Sequence, residues 1–241
     1  MASQDAALDD RRAVLARNLQ QVRQRIAAAA AREGRSPADV RLVAVTKYAD
    51  LVTTRLLVEL GCYDLGESRP QELWRKAAAL DNPAIRWHMI GHLQRNKIAR
   101  TLDAVYLLHS ADRWSLIEAL EHECRSRGRK LAALLEVNTS GDASKGGFAP
   151  EVVEPMLDQI AQLQWVELRG LMTMAAREGD DAVARSNFAS LRALRDRLVQ
   201  RGPPSLSWHE LSMGMSGDYE LAVEQGATIV RVGSALFEGL E

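Results

Sequence analysis

Two basic residues, one near each end of the chain, stand where chemistry tends to collect. Lys47 closes the apolar run Leu42-Val-Ala-Val-Thr46, and helix-forming sequence follows within a few residues. A run this rich in Val and Leu reads as a strand buried on both faces, as in parallel sheets. A lysine at the carboxyl end of such a strand stands at the mouth of an α/β fold, where ligand-binding groups gather. Partial burial there would lower its pKa and free the amine to attack a carbonyl carbon as a Schiff-base nucleophile. The same segment also fits a lysine with a buried stem and a solvated head. Arg231 follows the apolar stretch Thr228-Ile-Val230 and projects toward the interior or mouth of the fold. A guanidinium there costs several kcal/mol unless something accepts its hydrogen bonds. An ion pair with Glu67 or Glu210 is one solution, and a ligand acceptor such as an aromatic ring nitrogen is another.

Around Arg231 the sequence offers an anion site. Ser212-Met-Gly-Met-Ser216 and Gly233-Ser234 combine glycines, which let backbone approach an anion closely, with hydroxyls. Ser216 is placed to cap the helix that follows, although an ordinary serine-capped turn has the same signature.

These residues need a scaffold to bring them together. Short apolar runs at 42–46, 63–65, 85–90, 104–108, 132–137, 165–171, 207–211 and 228–230 alternate with helical segments. The helical segments begin near Asp50, Pro70, Asn96, Asp112, Pro150, Asp181 and Ser216. Eight strands in βα alternation, without a Pro- or Gly-rich linker, predict one closed (β/α)8 barrel over 1–241; an open doubly wound sheet is the alternative. Residues 11–33 carry Val14, Leu15, Leu19, Val22 and Ile26 on one face, which predicts an extra N-terminal helix packed on the body. Residues 1–10 are expected to be disordered. The strand ends then present Lys47, Ser68, His88, Met172 and the loop at 211–216 on one face.

Composition narrows the class. A net charge of −1 argues against a dedicated nucleic-acid surface. Cys62 and Cys124 are far apart and fit neither a zinc spacing nor a disulfide framework, which points to a reducing cytoplasm. No stretch is apolar enough to span a bilayer, and the first ten residues, with three aspartates, are neither a signal nor a transit peptide. His88, His92 and His109 lack companions at metal-ligand spacing.

The chain resembles the pyridoxal 5′-phosphate (PLP) homeostasis proteins, relatives of the N-terminal barrel of alanine racemase. The resemblance is carried by Leu42-Val-Ala-Val-Thr-Lys47, by Leu65-Gly-Glu-Ser-Arg69, and by Trp87-His-Met-Ile-Gly-His-Leu-Gln-Arg-Asn-Lys97. It continues through Val137-Asn138, Ser144-Lys-Gly146, Arg169-Gly-Leu-Met172, Leu211-Ser-Met-Gly-Met-Ser216 and Val230-Arg-Val-Gly233. These segments run in family order over nearly the whole chain. The resemblance implies PLP held as a Schiff base on Lys47, Ser212, Gly214, Ser216, Gly233 and Ser234 around its phosphate, and Arg231 at its pyridine nitrogen. Ser68, His88, Met172 and Met215 complete the expected pocket. Ser68 stands where the family usually has asparagine, Gly217 where an acidic residue is common, and Glu238 where glycine is usual.

The same residues bear on whether the site turns over substrate. A permanent cation beside the pyridine nitrogen disfavours its protonation and weakens the ring as an electron sink. Racemisation also needs a second acid/base group, which in alanine racemase comes from a β-rich domain that this sequence is not expected to carry. Tyr48 is the one tyrosine immediately beside the expected mouth, and its adjacency to Lys47 argues against an opposite-face role. The expected function is therefore PLP storage, buffering or delivery to PLP-dependent apo-enzymes by a cytoplasmic monomer without robust catalysis. A PLP-dependent racemase is the alternative. A cofactor-free Schiff-base aldolase, with Glu67 as its carboxylate, is more remote. Lys145, flanked by glycine and read as mobile, is a candidate transient carrier during delivery.

Overall fold

The computed structural model describes residues 2–142, 145–176 and 180–240, with side chains from residue 6 onward. Eight strands form a closed parallel barrel in sequence order: β1 (Arg41–Val45), β2 (Asp64–Glu67), β3 (Arg86–Met89), β4 (Val105–Ala111), β5 (Leu131–Glu136), β6 (Val166–Met172), β7 (Glu210–Ser212) and β8 (Ile229–Val232). β8 closes onto β1 with Arg231 opposite Val43. The barrel expected from the βα alternation is the one formed.

The helices follow from local signals. α1 (Ala2–Arg32) precedes the barrel. α2 (Leu51–Glu59) starts where the Asp50 carboxylate accepts from the Thr53 N–H at 2.7 Å, and α3 (Pro70–Leu80) starts on a proline, whose missing N–H costs nothing in a first turn. Short α4 (Ile98–Leu102) and the longer α5 (Trp114–Arg127) come next, α5 ending at Gly128 in the left-handed conformation. α6 (Pro150–Val153) and α7 (Leu157–Ile160) fill the next crossover, and α8 (Asp181–Arg201) is capped by Asp180. α9 (Tyr219–Glu224) and α10 (Ser234–Phe237) flank β8.

Alternation along the strands divides the core in two. Val43, Leu107, Ala132, Leu134, Met172 and Ile229 fill the barrel interior, and a larger apolar shell lies between strands and helices. β5 is buried at every position because both its faces are covered, which is why its sequence carries no polar alternation.

α1 buries Leu15, Leu19, Val22 and Ile26, as its apolar face predicts, each worth about 1.5–3 kcal/mol. Asn18 pins it to the chain end by donating to the Leu236 and Glu238 carbonyls at 3.1 and 2.8 Å. The helix begins at Ala2, ahead of the expected start at Arg11, so residues 2–10 are helical where disorder was expected.

Candidate functional site

The carboxyl ends of β1, β2, β3 and β8 and the loop after β7 enclose a cavity of about 850 Å³. Of the residues selected from the sequence, Lys47, Ser68, Met215, Ser216, Arg231, Gly233 and Ser234 line it. Val45, Ile90, Met174, Phe237 and Leu240 give it an apolar wall, and Arg11 of α1 reaches its outer edge. His88, Met172, Ser212 and Gly214 are not in its lining and lie fully buried behind it.

Lys47 differs from expectation in one respect. β1 ends at Val45, and residues 47 and 48 form a turn that lifts the lysine into solvent, so it is exposed instead of partly buried. Its ammonium lies 4.9 Å from the centre of the Tyr48 ring. Tyr48 is itself 87% exposed.

Arg231 is its opposite. It is 4% exposed, and burial pushes its guanidinium down to about 10, still far enough above neutrality to keep the charge. Neither carboxylate considered as its partner is available. Glu67 faces outward and takes Lys76 at 2.7 Å, and Glu210 accepts from Thr228 at 2.9 Å and pairs with Arg41 at 3.5 Å. Arg231 instead donates through Nη1 to Ser212 Oγ at 2.5 Å and through Nη2 to the Thr173 carbonyl at 2.9 Å. Its remaining side-chain N–H groups have no partner among the described residues, beside a cavity the side chain helps to line. A buried donor left this way costs free energy unless a ligand accepts from it.

The Ser216 loop is built differently from a serine-capped turn. The N-cap of α9 is Asp218, whose carboxylate accepts from the Met215 N–H at 2.5 Å. The Ser216 hydroxyl instead accepts from the N–H groups of Gly233 and Ala235 at 3.1 and 3.3 Å, tying the two candidate phosphate loops together. Two glycines are sterically required here. Gly214 has φ +91°, and a Cβ on it would lie 2.5 Å from the Ala222 Cβ. A Cβ on Gly91 would lie 2.3 Å from the Ser68 carbonyl oxygen, so this glycine is what lets the two loops meet at the cavity wall.

Sequence reasoning missed what lies behind the cavity. His88 Nε2 meets Asp64 Oδ1 at 3.0 Å, His88 Nδ1 meets His109 Nε2 at 2.8 Å, and His109 Nδ1 meets Ser212 Oγ at 2.8 Å. Burial pushes both imidazoles below their ordinary value; Asp64 partly offsets this for His88, whereas the neighbouring His88 and Arg231 add to it for His109. Burial opposes ionisation of Asp64, but hydrogen bonds from Arg86 and His88 outweigh it and hold the carboxyl well below its ordinary value. Also missed was Glu136 at the end of β5, 7% exposed, which burial and the Asp112 carboxylate push up to about 7. The strand-end positions of these residues were visible; their meeting across three or four strands was not.

Glu67, considered above as a partner of Arg231 and as an aldolase carboxylate, is fully buried. Lys145 is tethered by the carbonyls of Ala175 at 2.5 Å and Met174 at 3.4 Å, where mobility was expected. Ser144 of the same motif lies outside the described residues. His92 is exposed and bonds Asp112 at 2.8 Å. Among the described residues no group of three or more His, Cys, Asp or Glu side chains is placed to hold a metal, and no helix is long and apolar enough to cross a membrane.

The barrel and its lysine-bearing mouth are those of an alanine-racemase-type fold, and the family described as alanine racemase, N-terminal domain, matches residues 13–240. The pyridoxal phosphate homeostasis protein of Pseudomonas aeruginosa is 38% identical over 223 residues, covering 92% of this chain and 94% of that protein. Its counterpart in Aquifex aeolicus is 36% identical over 219 residues, covering 91% and 95%. PipY of Synechococcus elongatus, solved with PLP bound, superposes with a TM-score of 0.82 at 35% identity, covering 92% of this chain and 99% of that one. The chain belongs to the pyridoxal phosphate homeostasis protein family.

The residues present fit that cofactor. The mouth holds an exposed amine, a buried guanidinium with N–H groups to spare, and a phosphate-sized set of serines and glycines.

Proposed function

We propose that this protein binds PLP in the cavity at the barrel mouth and serves its intracellular homeostasis, storing, buffering or handing on the cofactor. The observation that carries the proposal is Arg231, a buried cation without a carboxylate in bonding contact, lining the same cavity as the exposed Lys47. Bound there, PLP supplies an aldehyde that condenses reversibly with a primary amine. Lys47 would provide that amine, and its exposure would leave the site open to other amines. Arg231 donates toward the ring nitrogen. Ser216 and Ser234, with the backbone of Gly217, would bind the phosphate, Gly233 would hold the loop through its N–H to Ser216, and Ser68 and Met215 would bound the ring. Met172, Ser212, Gly214 and His88 act from behind, through packing and hydrogen bonds.

The chain works as one domain, a cytoplasmic monomer without robust turnover, and its recipients are PLP-dependent apo-enzymes. Two features support the lack of turnover. Arg231 keeps its charge and so disfavours protonation of the ring nitrogen. The tyrosine in the cavity lining, Tyr48, shares a turn with Lys47 and cannot stand on the opposite face of a bound ligand. The aldolase alternative loses its carboxylate, because Glu67 is committed to Lys76 on the outer side of the barrel.

The test is a visible absorbance spectrum of purified protein given PLP, followed by borohydride reduction and peptide mass mapping. The expected result is a yellow band fixed by reduction onto Lys47 and absent in Lys47→Ala. A colourless wild type that takes up no PLP would sink the proposal. Racemase and transaminase assays on the loaded protein then separate carrier from enzyme.

A further inference from the structure

The interior of an eight-stranded barrel is ordinarily packed with Val, Ile and Leu. Here five polar side chains instead connect across it: Asp64 on β2, His88 on β3, His109 on β4, Ser212 on β7 and Arg231 on β8, each less than a tenth exposed. We propose that Asp64, His88, His109 and Ser212 form a one-directional hydrogen-bonded chain whose role is to position Arg231 at the cavity.

The direction follows from the two ends. Asp64 is ionised and only accepts, so His88 must donate to it from Nε2. His88 is neutral, so its Nδ1 carries a lone pair and His109 must donate to it from Nε2. His109 is neutral in turn, so its Nδ1 accepts and the Ser212 hydroxyl must donate. The Ser212 oxygen is then left with its lone pairs toward Arg231, which only donates. With both imidazoles neutral, the form their burial favours, every link has one sense from the Asp64 anion to the Arg231 cation. Asp64 is itself fixed by Arg86, which donates to both carboxylate oxygens at 2.7 and 2.5 Å.

The consequence falls on Arg231. Ser212 and the Thr173 carbonyl hold its two terminal nitrogens and so fix the plane of the guanidinium. Thr173 alone would leave that plane free to turn about one contact. Because the Ser212 proton is committed to His109, its oxygen presents an acceptor and never a donor to Arg231. The histidines are positioning residues that act through Ser212. This inference rests on the proposed PLP site for its purpose, but the chain is a property of the protein alone.

The test therefore has two arms. In the first, 1H–15N NMR of the ligand-free protein at neutral pH is expected to show His88 and His109 as neutral Nε2–H tautomers; an Nδ1–H tautomer or an imidazolium at either residue overturns the chain. In the second, PLP is titrated by absorbance into wild type, His109→Phe and His109→Gln. Phenylalanine breaks the chain, and we expect roughly tenfold weaker PLP binding and a shifted visible band. Glutamine offers one acceptor and one donor and should restore both toward wild type. PLP binding and spectrum unchanged in folded His109→Phe would overturn the positioning role. If His109→Phe does not fold, Ser212→Ala replaces it, with the same loss expected and an unchanged affinity again counting against the role. A wild type with the expected tautomers that takes up no PLP would instead overturn the cofactor reading, and with it the purpose assigned to the chain.

Discussion

Among the described residues two cations are buried in this protein, and they are treated in opposite ways. Lys76 lies against the outer wall of the barrel, where its ammonium bonds Glu67 and the Thr46 carbonyl, both at 2.7 Å. Thr46 completes the cluster by donating to the same carboxylate oxygen at 2.6 Å. Arg231 lies at the barrel centre with a hydroxyl and a carbonyl for partners and no carboxylate. The first arrangement is closed in charge, ammonium against carboxylate, although the second Glu67 oxygen, Oε2, is buried without a hydrogen-bond partner among the described residues. The second is open on the side that faces the cavity. A buried charge left open beside a cavity marks a binding group, whereas a closed pair marks a structural one.

Breaking the closed pair should produce the largest effect. Lys76→Met leaves the buried Glu67 carboxyl without its cation, with Thr46 as its remaining partner, and should cost about 3–5 kcal/mol in urea unfolding. Combining it with Glu67→Gln should recover most of that loss. A cost below about 1 kcal/mol for Lys76→Met would mean that the pair is not the closed structural unit described here.

The open cation should respond in the reverse sense. Arg231→Gln removes a buried charge that no carboxylate bonds directly, so the ligand-free protein should be as stable as wild type or more stable. Its affinity for PLP should fall by about 10- to 100-fold, the worth of a charged hydrogen bond. Stability lost with PLP affinity retained would reverse the distinction between the two sites.

Titration sharpens it further. His88 and His109 are held below the ordinary imidazole value of 6.5, so the unfolded chain binds more protons than the native protein as pH falls. Their contribution is complete above that pH and is lost below it. Glu136 acts in the opposite direction. Raised from 4.5 to about 7, its carboxyl keeps a proton in the native state that the unfolded chain releases, so its contribution falls as pH rises through that window. Glu136→Gln should therefore stabilise the protein by about 1–3 kcal/mol at pH 7.5 and hardly at all at pH 4.5. Unfolding curves at the two pH values measure the difference, and an equal effect at both would contradict it.

The smallest effect belongs to Ser216, whose hydroxyl ties the two phosphate loops. Ser216→Ala should lower stability by about 1 kcal/mol and weaken PLP binding severalfold. Phosphate competition against PLP binding would separate the loop from the ring end of the site, since only the former should sense the change.

How much of this the sequence shows depends on distance along the chain. β1 is legible because a strand buried on both faces must be a continuous apolar run, and Lys47 follows it directly. Ser216, Arg231, Gly233 and Ser234 are legible for the same local reason. Ser212 is a different case. The strand before it was expected at 207–211, drawn by Trp208, but β7 is Glu210–Ser212, and Trp208 is buried in the preceding loop. That small shift moves Ser212 out of the phosphate loop and onto the strand, where alternation points its hydroxyl inward to His109 and Arg231. Lys47 moves the other way, because β1 ends a residue early and the turn exposes it. The closed pair and the histidine chain were out of reach on other grounds. Glu67 and Lys76 belong to different elements, and Asp64, His88, His109 and Ser212 sit on four strands whose contacts depend on barrel closure and register.

The most direct test of the account is a crystal structure of the protein grown with PLP. The account predicts the cofactor joined to Lys47, its phosphate between the Ser216 and Ser234 loops, and an Arg231 N–H within about 3 Å of the ring nitrogen, with the bonds to Ser212 and Thr173 retained. PLP bound elsewhere, or bound in the cavity with the guanidinium of Arg231 turned away from its ring, would contradict the claim that this open cation exists for the cofactor.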